Sequence, residues 1–276
     1  MLSFRAKSRN LLLMKLRTSL TLVFSIFACL AHAERISFVG GTLINPGTSQ
    51  VLENSVVVVD GDRITAAGTR KEMAVPTGSK RIDCKGKFIL PGYIDTHVHF
   101  FQSGGLFTRP DIVDLTKVRP YAEEIAWIKK NLPDTFARYL RSGITSVVDV
   151  GGPFWNFEVR RMANSTAKAP RVAVAGPLIS SVSRPQLDLG DPPIVKIDNP
   201  EQASEFVRKL AEQKPDLVKI WYIVNDEHPV DSFRPIVRAT VEESHARKIR
   251  VAVHATELET ARAAVEEGAD VLVYTA

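Results

Sequence analysis

Cysteine is scarce in this chain, and so are long apolar runs. Only Cys29 and Cys84 occur among 276 residues. Cys29 lies in an N-terminal segment with the features of an export signal, so Cys84 would stand alone in the mature chain and an internal disulfide is excluded. The longest largely apolar stretch, residues 20–30, is too short to span a bilayer comfortably. Glycine pairs occur, but none opens a helix as a dinucleotide- or phosphate-binding loop does.

The N-terminus has the layout of a secretory leader. Lys15 and Arg17 precede the apolar residues 20–30, and the sequence Ala-His-Ala at 31–33 has the small-x-small form of a cleavage site. We predict a signal peptide over residues 1–33, cleavage after Ala33, and an exported protein, periplasmic or secreted, with no stable membrane span after cleavage.

Positive charge is concentrated in that leader. Residues 1–33 contain five basic and no acidic side chains, so removing them takes the formal net charge from +5 to zero. The mature chain therefore offers no excess of basic charge for nucleic acid or an anionic membrane surface. This leaves a small molecule as the expected partner, with homo-oligomer formation open.

The rest of the chain divides into two patterns. Residues 34–88 alternate short β-rich runs with turns and predict a small, incomplete, β-sandwich-like domain. Residues 89–276 alternate apolar runs with amphipathic segments, which predicts a parallel α/β fold of about six βα units, a partial TIM-like (β/α)8 barrel. The predicted strands are 88–99, 145–150, 172–175, 217–222, 251–254 and 271–274; the predicted helices are 121–141, 156–164, 200–213, 231–247 and 257–268.

Two histidines in the first predicted barrel strand, His97 and His99, are the strongest chemical signal. Side chains at i and i+2 of a strand point to the same face, so two imidazoles could bind one cation. The apolar approach to them, residues 88–94, predicts a buried strand in which an unpartnered polar pair would be costly. The spacing therefore predicts half of a metal site.

The run around these histidines, KFILPGYIDTHVH at residues 87–99, resembles the first barrel strand of the amidohydrolase superfamily. The resemblance extends from about Ile36 to the end of the chain. It implies a metal-dependent hydrolase acting on carbon–nitrogen bonds, of cyclic amide or dipeptide-like substrates, with two divalent ions, preferentially zinc, in an intact relative. A complete barrel typically needs about 250 residues, so we expect a fragment that lacks its last strands and has impaired activity.

Two further residues extend the metal site. Lys219 lies inside the apolar run 217–222, where a free ammonium would be expensive to bury. His254 closes the apolar strand 251–254 near the carboxyl end, where catalytic groups of βα barrels gather. By resemblance, Lys219 corresponds to the carboxylated lysine (a carbamate) of strand four, and His254 to the histidine ligand of strand five.

The resemblance to the family is incomplete at the remaining positions of the site. The family usually has histidine four residues after Asp270, and this chain has Tyr274, a doubtful ligand. His228, in the loop after strand four, is equally doubtful. The strand-eight aspartate that moves the proton in the family has no counterpart, so no catalytic set is complete.

Two alternative functions remain. His254 and Glu257 match the H-x-x-E spacing of single-metal deaminases, although a glutamate at the start of a helix is also favoured by the helix dipole. Alternatively, the chain is a degenerate metal-binding module without catalysis.

Overall fold

A computed structural model describes residues 34–102, 105–110, 112–226 and 228–274. The predicted signal peptide, with its cleavage after Ala33, lies outside the described residues. The chain divides into two compact units, one ending at Pro91 and one beginning at Gly92. Among the described residues, no helix is both long and apolar enough to cross a membrane.

The first unit consists of short strands in two sheets. Its described strands are β1 (Arg35–Val39), β2 (Thr42–Asn45), β3 (Gln50–Leu52), β4 (Ser55–Asp60), β5 (Arg63–Thr69), β6 (Lys80–Asp83) and β7 (Phe88–Ile89). One sheet has the order β5-β4-β1-β6 and the other β3-β2-β7. Val39, Val56 and Val58 form a small core because β-branched side chains pack well on a pleated surface.

The second unit is an α/β fold in which every strand pairing is parallel. Its described strands are β8 (Tyr93–Val98), β9 (Ile144–Asp149), β10 (Arg171–Val174), β11 (Leu178–Ser180), β12 (Ile194–Lys196), β13 (Leu217–Trp221), β14 (Arg250–His254) and β15 (Val271–Val273). Its described helices are α1 (Tyr121–Arg141), α2 (Asn156–Asn164), α3 (Pro200–Ala211), α4 (Val230–Ala246) and α5 (Leu258–Glu266). The sheet orders are β10-β9-β8 and β12-β11-β13-β14-β15, which confirms the predicted partial barrel.

The helices form where amphipathic periodicity and end signals coincide. In α1, Ile125, Ile128 and Leu132 recur at helical spacing and are buried in the core of this unit. At the start of α3, the Asn199 side chain accepts a hydrogen bond of 2.9 Å from the backbone N–H of Gln202. These features place the helices against the strands and leave the strand ends free to build a site.

Three strand predictions need correction. Residues 88–99 do not form one strand, because Pro91 has no N–H to donate and separates β7 from β8. The approach to the histidines is not buried: Tyr93 and Ile94 are 60% and 64% exposed, since β8 is the edge strand of its described sheet. The short strands β11 and β12 were not predicted at all, because three-residue strands give too little periodicity to detect.

A buried carboxylate, Glu267, joins α4 to the end of α5. It accepts hydrogen bonds from Arg238 at 2.7 Å and from Arg234 at 2.9 Å, and only 5% of its side chain is exposed. The Arg238 hydrogen bond, aided by Arg234 and opposed by burial, holds the pKa of Glu267 below its usual 4.5. Such charged hydrogen bonds typically contribute about 1.5–3 kcal/mol each before screening by solvent.

We expect Glu267→Gln to lower the free energy of unfolding by about 1–3 kcal/mol at pH 7. Because the folded pKa is lowered, the contribution is complete above pH 4.5 and is lost as the pH falls through the folded value. Urea denaturation at pH 7 and pH 3 measures both effects. The exposed Glu259→Gln serves as the control, and an equal loss in the two variants would contradict the assignment.

Candidate metal centre

The structure brings five of the predicted residues to one cavity. His97 comes from β8, His99 directly follows it, Lys219 comes from β13, His254 ends β14, and Tyr274 follows β15. They meet because parallel strands of a barrel end at the same face. The cavity measures about 100 Å³ and is lined by His97, His99, Phe101, Gln102, Arg109, Leu178, Ile194, Lys219, Trp221, His254 and Tyr274.

The two histidines of the motif present the same ring nitrogen to each other. Their Nε2 atoms lie 3.2 Å apart. His99 donates from Nδ1 to the carbonyl oxygen of Gly151 at 2.7 Å, and since a carbonyl only accepts, the proton is on Nδ1 and the Nε2 lone pair faces the cavity. Two imidazole nitrogens on one tetrahedral zinc, at about 2.0–2.1 Å each, lie about 3.3 Å apart. The pair therefore fits a divalent ion.

Lys219 is buried without a compensating group. Its side chain is 1% exposed, and its Nζ has no hydrogen-bond partner within the described part of the chain. Burial lowers the pKa of Lys219 to about 7, so a large fraction of its amines is neutral near neutral pH. A neutral, unpartnered amine that lines a cavity is suited to reaction with carbon dioxide.

The other two side chains, Tyr274 and His254, lie next to each other. Tyr274 Oη lies 3.3 Å from Nε2 of His97, and the Tyr274 ring centroid lies 5.0 Å from that of His254. Burial, reinforced by the charge of Lys219, lowers the pKa of His97 and of His254 to about 4. Both imidazoles are therefore neutral at pH 7, the form in which histidine binds a metal.

Two predicted candidates are not part of the cavity lining. The backbone N–H of His228 bonds to the carbonyl oxygen of Asn225. Glu257 occupies the position before the first residue of α5, and its carboxylate accepts hydrogen bonds from the hydroxyl groups of Thr256 at 2.9 Å and Thr260 at 3.3 Å. Within the described ranges, no three His, Cys, Asp or Glu side chains form a metal-sized cluster.

Several lining residues were not predicted from the sequence. Trp221 lies two positions after Lys219 on β13, and the guanidinium of Arg184 lies 5.1 Å from its ring centroid. The i, i+2 spacing from Lys219 could have identified Trp221. Arg109, Leu178 and Ile194 come from loops and short strands and carry no comparable signal.

Comparison with known sequences gives one family. The sequence model of the amidohydrolase family matches residues 88–272. The 5-methylthioadenosine/S-adenosylhomocysteine deaminase of Symbiobacterium thermophilum is 40% identical over 67 residues, 24% of this chain and 15% of that enzyme. The dihydroorotase of Pelotomaculum thermopropionicum is 38% identical over 65 residues, 24% of this chain and 14% of that enzyme.

Solved structures confirm the fold over most of the chain. The ochratoxinase of A. niger has a TM-score of 0.69 at 19% identity, and the match covers 87% of this chain and 60% of that one. A Xaa-Pro dipeptidase with bound methionine has a TM-score of 0.64 at 24% identity, covering 87% and 61%. The chain thus spans about three fifths of the length of these structures.

Proposed function

This chain belongs to the amidohydrolase family, and from that premise we propose that it hydrolyses a carbon–nitrogen bond with the help of divalent metal bound at the His97–His99 cavity. The observation that carries the proposal is the pair of Nε2 atoms 3.2 Å apart, next to the unpartnered amine of Lys219. When bound, a divalent ion supplies Lewis-acid activation of the carbonyl and of water.

The residues divide between two ions. His97 and His99 would hold the first, and His254 would hold the second. Lys219 would hold both after carboxylation, in which the neutral Nζ attacks carbon dioxide, a nitrogen–carbon bond forms, and one N–H proton leaves to solvent. The product is a carbamate whose two oxygens carry one negative charge.

Charge balance favours this modification. The described residues that line the cavity include no aspartate or glutamate. They include two basic residues, Arg109 and Lys219. A divalent ion held only by neutral imidazoles would lack an anionic ligand, and the protonated fraction of Lys219 would repel it. Carboxylation of the neutral amine changes the charge at Lys219 from 0 to −1 and thereby supplies the anion that two metal ions require.

The lining also bears on the substrate. Phe101, Leu178 and Ile194 offer an apolar wall, and Arg109 lies at the same cavity. An arginine binds a carboxylate through two parallel hydrogen bonds, so a dipeptide-like or cyclic amide substrate with a free carboxylate fits. The names of similar proteins, a Xaa-Pro dipeptidase and a dihydroorotase, are compatible with this class.

A deaminase that uses one metal is the second candidate. It is supported by the 40% identity to a deaminase over 67 residues and by the spacing of His254 and Glu257. The Glu257 carboxylate accepts instead from the hydroxyl groups of Thr256 and Thr260, and it does not line the cavity that contains His254. A metal-binding module without catalysis is the third candidate, and it predicts metal binding with no turnover.

The test replaces one motif histidine and one matched surface histidine in the 276-residue chain. His99→Ala is expected to weaken zinc binding by more than about 100-fold, because loss of an outer-sphere partner alone typically costs 10- to 100-fold, and to abolish hydrolysis of Xaa-Pro dipeptides. His245→Ala is the control, since its Nε2 contacts Asp270 at 2.8 Å outside the cavity lining. Unchanged zinc affinity in His99→Ala would refute the proposal; zinc binding without turnover of any amide would support the third candidate.

A further inference from the structure

A fully buried carboxylate, Asp149, lies next to the metal centre but does not line it. Asp149 ends β9 and has 0% exposure. Its oxygens accept from the backbone N–H of Gly151 at 3.3 Å, from Nδ2 of Asn156 at 2.5 Å, and from the backbone N–H of Phe100. All three neighbours are donors, so the side chain acts as an acceptor.

Two of these donors lie on either side of His99. Phe100 follows His99 in the chain, and Gly151 supplies the carbonyl oxygen to which His99 Nδ1 donates at 2.7 Å. Gly151 has φ +152°, and a Cβ atom there would lie 2.7 Å from the Leu178 side chain. Only glycine fits this position. Asp149 therefore bonds to the backbone N–H of the residue that follows His99 and to the backbone N–H of the glycine whose carbonyl oxygen His99 contacts.

Asn156, which donates to Asp149, leaves its own amide oxygen without a partner in the described part of the chain. Asn156 begins α2 with 0% exposure. Such an unpaired buried acceptor destabilises the folded state. Gly152 leaves room for the amide, since a Cβ atom there would lie 2.1 Å from Asn156 Nδ2.

We propose that Asp149, oriented by Asn156, is a positioning residue for His99. By accepting from the backbone N–H groups of Phe100 and Gly151, it fixes the two segments that the His99–Gly151 hydrogen bond joins, so that the imidazole keeps its proton on Nδ1 and directs an unprotonated Nε2 into the cavity. The link to metal binding rests on the proposed function, whereas the control of the tautomer does not. Outer-sphere partners of this kind typically change metal affinity by 10- to 100-fold.

The experiment measures the tautomer of His99 in metal-free protein. Long-range ¹H–¹⁵N NMR spectra, assigned by loss of the His99 signals in His99→Gln, are expected to show the Nδ1–H form in the wild type. In Asp149→Asn the two tautomers are expected to mix, and zinc affinity to fall 10- to 100-fold. The proposal is overturned if His99 in the wild type is not in the Nδ1–H form. It is also overturned if Asp149→Asn keeps His99 in the Nδ1–H form and has unchanged zinc affinity.

Asp216→Asn is the matched control. Asp216 also accepts a backbone N–H, that of Val174 at 2.8 Å, and it contacts neither His99 nor Gly151. It should leave the His99 tautomer unchanged; if it mixes the tautomers equally, the effect is general and the proposal fails. If Asp149→Asn does not fold by circular dichroism, Asn156→Ala, which keeps the carboxylate, replaces it in the same measurement with the same two outcomes. A wild type that has the expected tautomer but binds no zinc contradicts the proposed function alone.

Discussion

Replacing Lys219 with methionine is expected to abolish turnover and, at the same time, to stabilise the metal-free protein. The amine is 1% exposed and has no partner in the described residues, so the folded state bears its desolvation cost. Methionine is similarly long, flexible and apolar, and it can occupy the same space. Burying an unpartnered polar group costs about 1–3 kcal/mol in protein mutants, so the free energy of unfolding should rise by about that amount at pH 7.

The pH dependence of stability gives a second, independent readout of the same side chain. Burial lowers the pKa of Lys219 from 10.5 to about 7. Between these values the unfolded chain binds more protons than the folded chain, so the free energy of unfolding of the metal-free wild type rises with pH across this interval. Lys219→Met should lack this rise. Urea titrations at pH 6.5, 8 and 9.5 measure it, and parallel curves for the two proteins would contradict the assignment.

Metal content then separates the two enzyme candidates. With a carbamate at Lys219, the wild type should bind about two zinc ions per chain, and Lys219→Met should lose them together with turnover. A single ion that survives the substitution would support the deaminase. Lys196→Met is the control, because Lys196 is 44% exposed and pairs with Asp198 on the surface. Turnover retained in Lys219→Met would exclude a role for the lysine in catalysis.

The sequence predicted the site where a chemically unusual residue lay on a regular element. Lys219 interrupts an apolar strand, His254 ends another, and His97 lies near the end of β8; parallel strands bring such ends together without further information. The same periodicity located α1 and α2 at their observed bounds. The α/β fold class therefore followed from strand alternation and helical spacing, whereas the metal-binding roles of His97, Lys219 and His254 rest on one motif and the family resemblance and stay predictions.

The remaining features depended on contacts distant in sequence. Arg109 reaches the cavity from a loop, and a loop residue carries no periodicity that indicates its direction. Asp149 looks like an ordinary strand end, and its role depends on a carbonyl group that only the folded chain brings to His99. The exposure of Tyr93 and Ile94 could not be foreseen because apolar composition does not reveal whether a strand lies at an edge.

Tyr274 is the position where a single change is expected to strengthen the centre. Its hydroxyl lies 3.3 Å from Nε2 of His97, and its ring lies next to His254. A phenol binds a divalent ion well only after losing its proton, whereas an imidazole binds as the neutral ring. Tyr274 also has φ +68°, a backbone region in which histidine is enriched relative to most residues. The backbone therefore tolerates the residue that the metal would prefer.

We expect Tyr274→His to raise affinity for the second zinc ion by more than about 100-fold, because a direct ligand should exceed the 10- to 100-fold effect of an outer-sphere partner. Tyr274→Phe is the matched control: it removes the hydroxyl contact with His97 and adds no ligand. Competition with a chelator measures both affinities. If Tyr274→His and Tyr274→Phe gain zinc affinity equally, loss of the phenol hydroxyl explains the change. If neither variant gains affinity, the second ion does not lie between His254 and position 274. A gain confined to Tyr274→His would place the second ion next to His254, whose ring centroid lies 5.0 Å from that of Tyr274.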